Sequence, residues 1–171
     1  MEPELPARGG AGVDRALRDV GLGLGLKNAG LGNGFREVSG AVVRFDDNGR
    51  IEVRHGWTEM GQGVHTVALQ VAAQELAVDP SRIDVIVDTT RQLGFGQTTG
   101  SRGTLMAAGA VQAACAAALA DGCRPERDYH AEHVVDWTAK LGDPDHPNPT
   151  IHAAFGYAAQ LAVMSRETGR L

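Results

Sequence analysis

Residues 55–76, HGWTEMGQGVHTVALQVAAQEL, join two different periodicities within one short run. Upstream of the glycines, Ile51, Val53, His55 and Trp57 alternate and so share one face of a strand. From Val64 the apolar positions Val64, Val67, Ala68, Val71 and Ala72 recur at helical spacing, until AVDP at 77–80 ends the segment. The change falls on Gly61-Gln62-Gly63, which makes this a strand, a glycine loop and a helix in succession. His55, on the buried face of such a strand, reads as a hydrogen-bonded core histidine rather than a ligand.

Working outward toward the N-terminus, VSGAVVRF (38–45) and IEVRHGW (51–57) form two strands joined by DDNG, where Asn48-Gly49 is a strong hairpin signal. Further back, Gly21, Gly23 and Gly25 alternate with Leu22, Leu24 and Leu26. Such a strand has one face without side chains, open to a neighbouring helix or to a ligand. Toward the C-terminus, RIDVIVDTT (82–90) predicts a strand, RQLGFGQTTGSRG (91–103) a second glycine loop, and TLMAAGAVQAACAAALADG (104–122) a second helix. Its alanines and glycines imply close packing, and Gly122 and Pro125 stop it. A less regular stretch around YHAEHVVDW (129–137) follows, then the turn-rich LGDPDHPNPT. AAFGYAAQLAV (153–163) alternates as a strand, and the chain stops after SRETGR where a returning strand is expected. An unpaired apolar edge of this kind is a liability, so the reading is a piece of a longer chain or a subunit completed by a partner.

The 171 residues carry a net charge of −5, which disfavours nucleic acid and anionic membrane surfaces as partners, since both need concentrated Lys and Arg. Neither a membrane-spanning apolar run nor a signal peptide is evident, and the expected compartment is the cytoplasm. Cys115 and Cys123 are too few for a disulfide framework and read as small buried hydrophobes. His130 and His133 form one H-x-x-H without a third ligand, a weak metal signal.

The two glycine loops occupy matching places, each between a strand and a helix. Two helix N-termini could thereby bring free N–H groups and positive dipole ends to one anionic ligand. Gln62 adds an amide, Thr98, Thr99 and Ser101 add hydroxyls, and Gly61, Gly63, Gly96 and Gly100 permit close backbone approach. Neither loop matches a simple nucleotide fingerprint. On spacing alone, ordinary turns and helix caps are the better account of both loops.

WTEMGQGVHTVALQVAAQEL, VDTT and GFGQTTGSRGTLMAAGAVQAA, in this order, resemble the molybdopterin-binding subunit of the xanthine dehydrogenase and aldehyde oxidase family, the molybdenum hydroxylases. GLKNAGLGNG and HAAFGYAAQLAV fit as well, so that the resemblance covers most of residues 20–171, with 1–19 a poorly defined N-terminal segment. It implies that Gln62 hydrogen-bonds the pterin, with Gly61 and Gly63 giving backbone access. It also implies that Gly100 lies near the metal end and that Ser101 hydrogen-bonds the cofactor. No role follows for Arg102, no residue is assigned as a metal ligand, and Glu59 is not promoted to the catalytic base. The family's base lies in a G-x-G-E type motif that does not occur here, so no catalytic residue is expected in this chain.

The expected fold is α+β, a mixed and largely antiparallel sheet with two main helices packed on one face. The expected function is part of a molybdenum–molybdopterin site for water-derived hydroxylation of a purine, an N-heterocycle or an aldehyde. Iron–sulfur and FAD centres are expected only in partner domains or subunits, alongside the remaining part of the molybdenum subunit. This chain alone is expected to be inactive. The alternative is a non-catalytic interaction module that keeps the fold without cofactor, and a small phosphate-binding enzyme ranks last.

Overall fold

A computed structural model of the chain describes residues 29–94, 98–148 and 168. The glycine–leucine strand at 21–26, Gly96 and the strand at 153–163 lie outside the described residues. In chain order the elements are β1 (Glu37–Phe45), β2 (Ile51–His55), α1 (Val64–Leu76), β3 (Ile83–Val87), α2 (Gly103–Ala120) and β4 (Asp128–Val135). The strands form one sheet in the order β3-β2-β1-β4. β1 pairs antiparallel with β2 and with β4, while β2 and β3 are parallel and joined through α1. The sheet is therefore mixed and mostly antiparallel, with both helices on one face, as the sequence predicts.

The β1–β2 turn shows why DDNG works. Gly49 N–H donates to Asp46 O, Asp46 N–H to Arg50 O, and Gly49 sits at φ +77°. The turn is thus closed by a glycine in the left-handed region, a conformation that a side chain disfavours. The Asp46 carboxylate accepts from the Asn48 and Arg50 amides and fixes the turn locally.

The helix-side face of the sheet presents Ala41, Val43, Ile51, Val53 and Tyr129 to Ala68 and Ala72 of α1 and to Ala110, Val111, Ala114, Cys115 and Ala118 of α2. Burying a side chain such as Ile51 or Val53 contributes roughly 1.5–3 kcal/mol each. Alanine dominates the helix side because α2 lies close to the sheet. A Cβ added to Gly109 would stand 2.5 Å from the His133 ring, so this glycine is required by contact. α2 also has the length and apolar composition of a membrane span, contrary to the expectation that no run reaches that length. One stripe of it, Met106, Ala107, Ala110, Val111, Ala114, Cys115 and Ala118, is buried against the sheet and α1, as in the core helix of a folded domain.

Of the stretch at 129–137, expected to be less regular, the residues up to Val135 belong to β4, which lies at the sheet edge among the described residues. Its helix-side residues are Tyr129, Ala131, His133 and Val135, and the intervening Asp128, His130 and Glu132 are polar. The alternation is genuine but hidden, since the histidine beneath Gly109 occupies a position where an apolar residue would reveal it. β2 ends at His55, and beyond it the chain after β3 takes over its place beside β1. Gly40 N–H donates to Leu93 O at 2.8 Å, and Ser39 bridges Gly94. The crossing is tight, because a Cβ on Gly56 would lie 2.5 Å from Gly94 N.

Candidate cofactor-binding loops

The loop before α1 is held by its own side chains. Glu59 Oε1 accepts from the Gly61 and Gly63 amides at 2.7 and 2.9 Å, and Oε2 accepts from the His65 amide at 3.3 Å. These bonds hold the Glu59 carboxyl below the usual carboxylate range, the Gly63 amide contributing most. A carboxylate at a helix N-terminus is favoured by the dipole and by the orphan N–H groups there. The expectation of free N–H groups at this helix end is therefore corrected: the Gly63 and His65 amides already have an anionic partner, supplied by the loop.

Gln62 is engaged in the same loop. Its Oε1 accepts from the Met60 amide at 2.6 Å, and its Nε2 donates to Thr58 O at 2.8 Å. One amide hydrogen and one carbonyl lone pair remain on this exposed side chain. Gly61 at φ +98° and Gly63 at φ +84° have nothing within 4 Å of an added Cβ. Their backbone borders open space, which fits a flat polar group resting against the loop.

The loop before α2 is built from distant parts of the chain. Thr58 N–H donates to Thr98 Oγ1 at 3.0 Å, which joins it to the first loop. Gly30 N–H donates to Gly100 O at 2.6 Å, and a Cβ on Gly100, at φ +68°, would lie 3.1 Å from Gly30 O. The need for glycine at 100 is thus met by contact within the chain. Ser101 is exposed and has φ +51°, a strained conformation for a residue with a side chain, of a kind that clusters at functional sites.

Arg102, the next residue, is only 2% exposed, as is Glu37. Arg102 Nη1 donates to Glu37 Oε1 at 3.0 Å, and the guanidinium carbon stands 5.0 Å from the centre of the Trp57 ring. Trp57 Nε1–H donates to Ser39 Oγ at 2.8 Å, while Glu37 Oε2 accepts from the Leu31 amide at 3.1 Å. The start of β1, the residues before it, the beginning of the first loop and the end of the second meet at this group. Sequence reasoning gave Arg102 no role and overlooked Glu37, since 65 residues separate the two.

Beneath the first loop, His55 is fully buried and accepts from the Trp57 amide through Nδ1 at 3.0 Å, as expected of a core histidine. Burial, followed by the nearby His65, pushes its pKa down to about 4. The two rings lie 5.2 Å apart. Cys115 is fully buried and its thiol is pushed up to about 12, chiefly by burial, which excludes a ready thiolate nucleophile. His130 and His133 project from opposite faces of β4, and no group of three potential metal ligands occurs among the described residues.

Gly61, Gln62 and Gly63 therefore lie in one loop, Gly100 and Ser101 in another, and the Thr58–Thr98 hydrogen bond joins the two at the starts of α1 and α2. The family model described as molybdopterin cofactor-binding domain matches residues 6–142. The chain belongs to this family. Molybdopterin is accordingly the cofactor of this domain, and the open glycines with their neighbouring amide and hydroxyl groups are of a kind to receive it. The domain is 36% identical over 104 residues to the 6-hydroxypseudooxynicotine dehydrogenase complex subunit gamma of Paenarthrobacter nicotinovorans, covering 60% of this chain and 13% of that protein. It is 30% identical over 96 residues to a probable xanthine dehydrogenase subunit from Bacillus subtilis, covering 56% of this chain and 13% of that protein. The domain thus spans about an eighth of the length of these relatives. An aldehyde oxidoreductase from Desulfovibrio desulfuricans shares its fold, with a TM-score of 0.55 at 23% identity, covering 67% of this chain and 14% of that one.

Proposed function

We propose that this domain forms part of a molybdenum–molybdopterin site in an oxidoreductase that hydroxylates a purine, an N-heterocycle or an aldehyde with oxygen from water. One observation carries the reading: two glycine loops, hydrogen-bonded to each other at the starts of two helices, with the Gly61 and Gly63 backbone open on one side. Gln62 would hold the pterin through its remaining amide hydrogen and lone pair, Gly61 and Gly63 would allow close approach, and Gly100 and Ser101 would border the metal end. The bound group would supply two-electron redox chemistry. Glu59 is unsuited to serve as the base, because both its oxygens accept backbone N–H groups and its carboxyl is held below the usual range. The base, the rest of the cradle and the iron–sulfur and flavin centres would come from other segments or subunits, in keeping with relatives named as subunits of larger enzymes.

A second reading, a module that keeps the fold without cofactor, draws support from Gln62, whose amide is engaged by Met60 and Thr58 within the loop. The Gln62→Ala variant separates the two. A hydrogen bond to a strongly polar group contributes roughly 1.5–3 kcal/mol, so molybdenum and pterin per polypeptide in the purified protein should fall by about ten- to a hundredfold. Unchanged cofactor content in the variant removes the role of Gln62 as a pterin contact, and a parent protein that carries no cofactor favours the second reading.

A further inference from the structure

We propose that Arg102 is a positioning residue that sets the two cofactor loops in register. The proposal rests on the function proposed above. Arg102 ends the second loop immediately before α2, and its guanidinium is held between the Glu37 carboxylate and the face of Trp57. Trp57 is the last buried residue before the first loop, and its indole N–H is anchored on Ser39 of β1. The neighbouring Thr58 amide then crosses to Thr98 Oγ1 in the second loop. A displacement of Arg102 therefore reaches the first loop through Trp57 and the second through its own backbone.

The planar guanidinium is suited to this place, because it accepts an aromatic face on one side while donating along its edge. Lysine keeps the charge but provides neither the fork nor the flat surface. The pair is also deeply buried, and a buried ion pair is weak evidence of stabilisation, since desolvation offsets the attraction. Its place at the junction of two loops is better accounted for by geometry than by stability.

The test compares Arg102→Lys and the double variant Arg102→Met/Glu37→Leu with the parent, using the purified protein with its natural partners. Amide hydrogen exchange is read at Thr58 and Gly30, whose bonds cross between segments, and at Gly61 and Gly63, which Glu59 holds locally. In the double variant, exchange at Thr58 and Gly30 should quicken at least tenfold while Gly61 and Gly63 change little, and bound pterin should fall at least tenfold. Arg102→Lys should show the same pattern to a smaller degree. A uniform acceleration at all four amides would make Arg102 a general stabiliser and overturn the proposal, as would parent-like exchange with parent-like pterin content. Should the double variant fail to fold, the exchange pattern in Arg102→Lys decides alone. A parent protein without pterin would defeat the proposed function, while the exchange pattern would still judge Arg102.

Discussion

The loop before α1 is held by residues within it, through Glu59 and Gln62, and both side chains are at least partly exposed. The loop before α2 depends on Gly30, Glu37 and Trp57, brought from elsewhere in the chain, and its anchoring pair is buried. Similar glycine-rich sequences at matching places thus rest on different physics. A loop with local bonds keeps its shape with little help from its neighbours, whereas one pinned by distant groups is only as well placed as the fold around it.

Substitutions can break this contrast at its strong end first. Glu37→Ala removes the carboxylate opposite a buried guanidinium and should cost about 3–5 kcal/mol, measured by urea unfolding. Gly100→Ala should cost about 1–3 kcal/mol, because the new Cβ meets Gly30 O at a left-handed φ. Gly61→Ala, equally left-handed but facing open space, should cost about 1–2 kcal/mol. If the two glycine substitutions prove equal, the close approach of Gly30 matters less than the backbone angle. Gln62→Ala should have the smallest effect on stability, below about 1.5 kcal/mol, with the thermal midpoint of the cofactor-free form as the measure.

Acid offers a further test of the first loop. His55 has a native pKa near 4 against an ordinary 6.5, so the unfolded chain binds a proton that the native state refuses. Its contribution is complete above pH 6.5 and is lost progressively as the pH falls toward 4. Protonation at Nδ1 would also end its bond from the Trp57 amide. A pH series of unfolding free energies should show this loss, and His55→Gln should flatten the slope in that window.

Local patterns made much of this fold legible in the sequence. The hairpin follows from Asn48-Gly49, the start of α1 from the change of period after Gly63, and the close approach of α2 from its alanines and Gly109. β4 escaped notice because His133 occupies a helix-side position and Asp128, His130 and Glu132 line the other. The Glu59 cap could have been found, since an acidic residue shortly before a helix start is a recognised signal. The Arg102–Glu37 pair had no such signal, because only the folded sheet brings residues 65 positions apart into contact.

The central place of β1 has a consequence for how the chain acquires its structure. Its pairing with β2 closes across a short turn, from Phe45 to Ile51, a step of the kind that takes microseconds. Its pairing with β4 joins Glu37 to Val135, which requires closure of a far longer loop. During synthesis, β1 must therefore wait without its second neighbour until β4 has emerged. Over that interval a strand with seven buried residues exposes an open edge, the form in which nascent chains are most prone to aggregate and to need a chaperone.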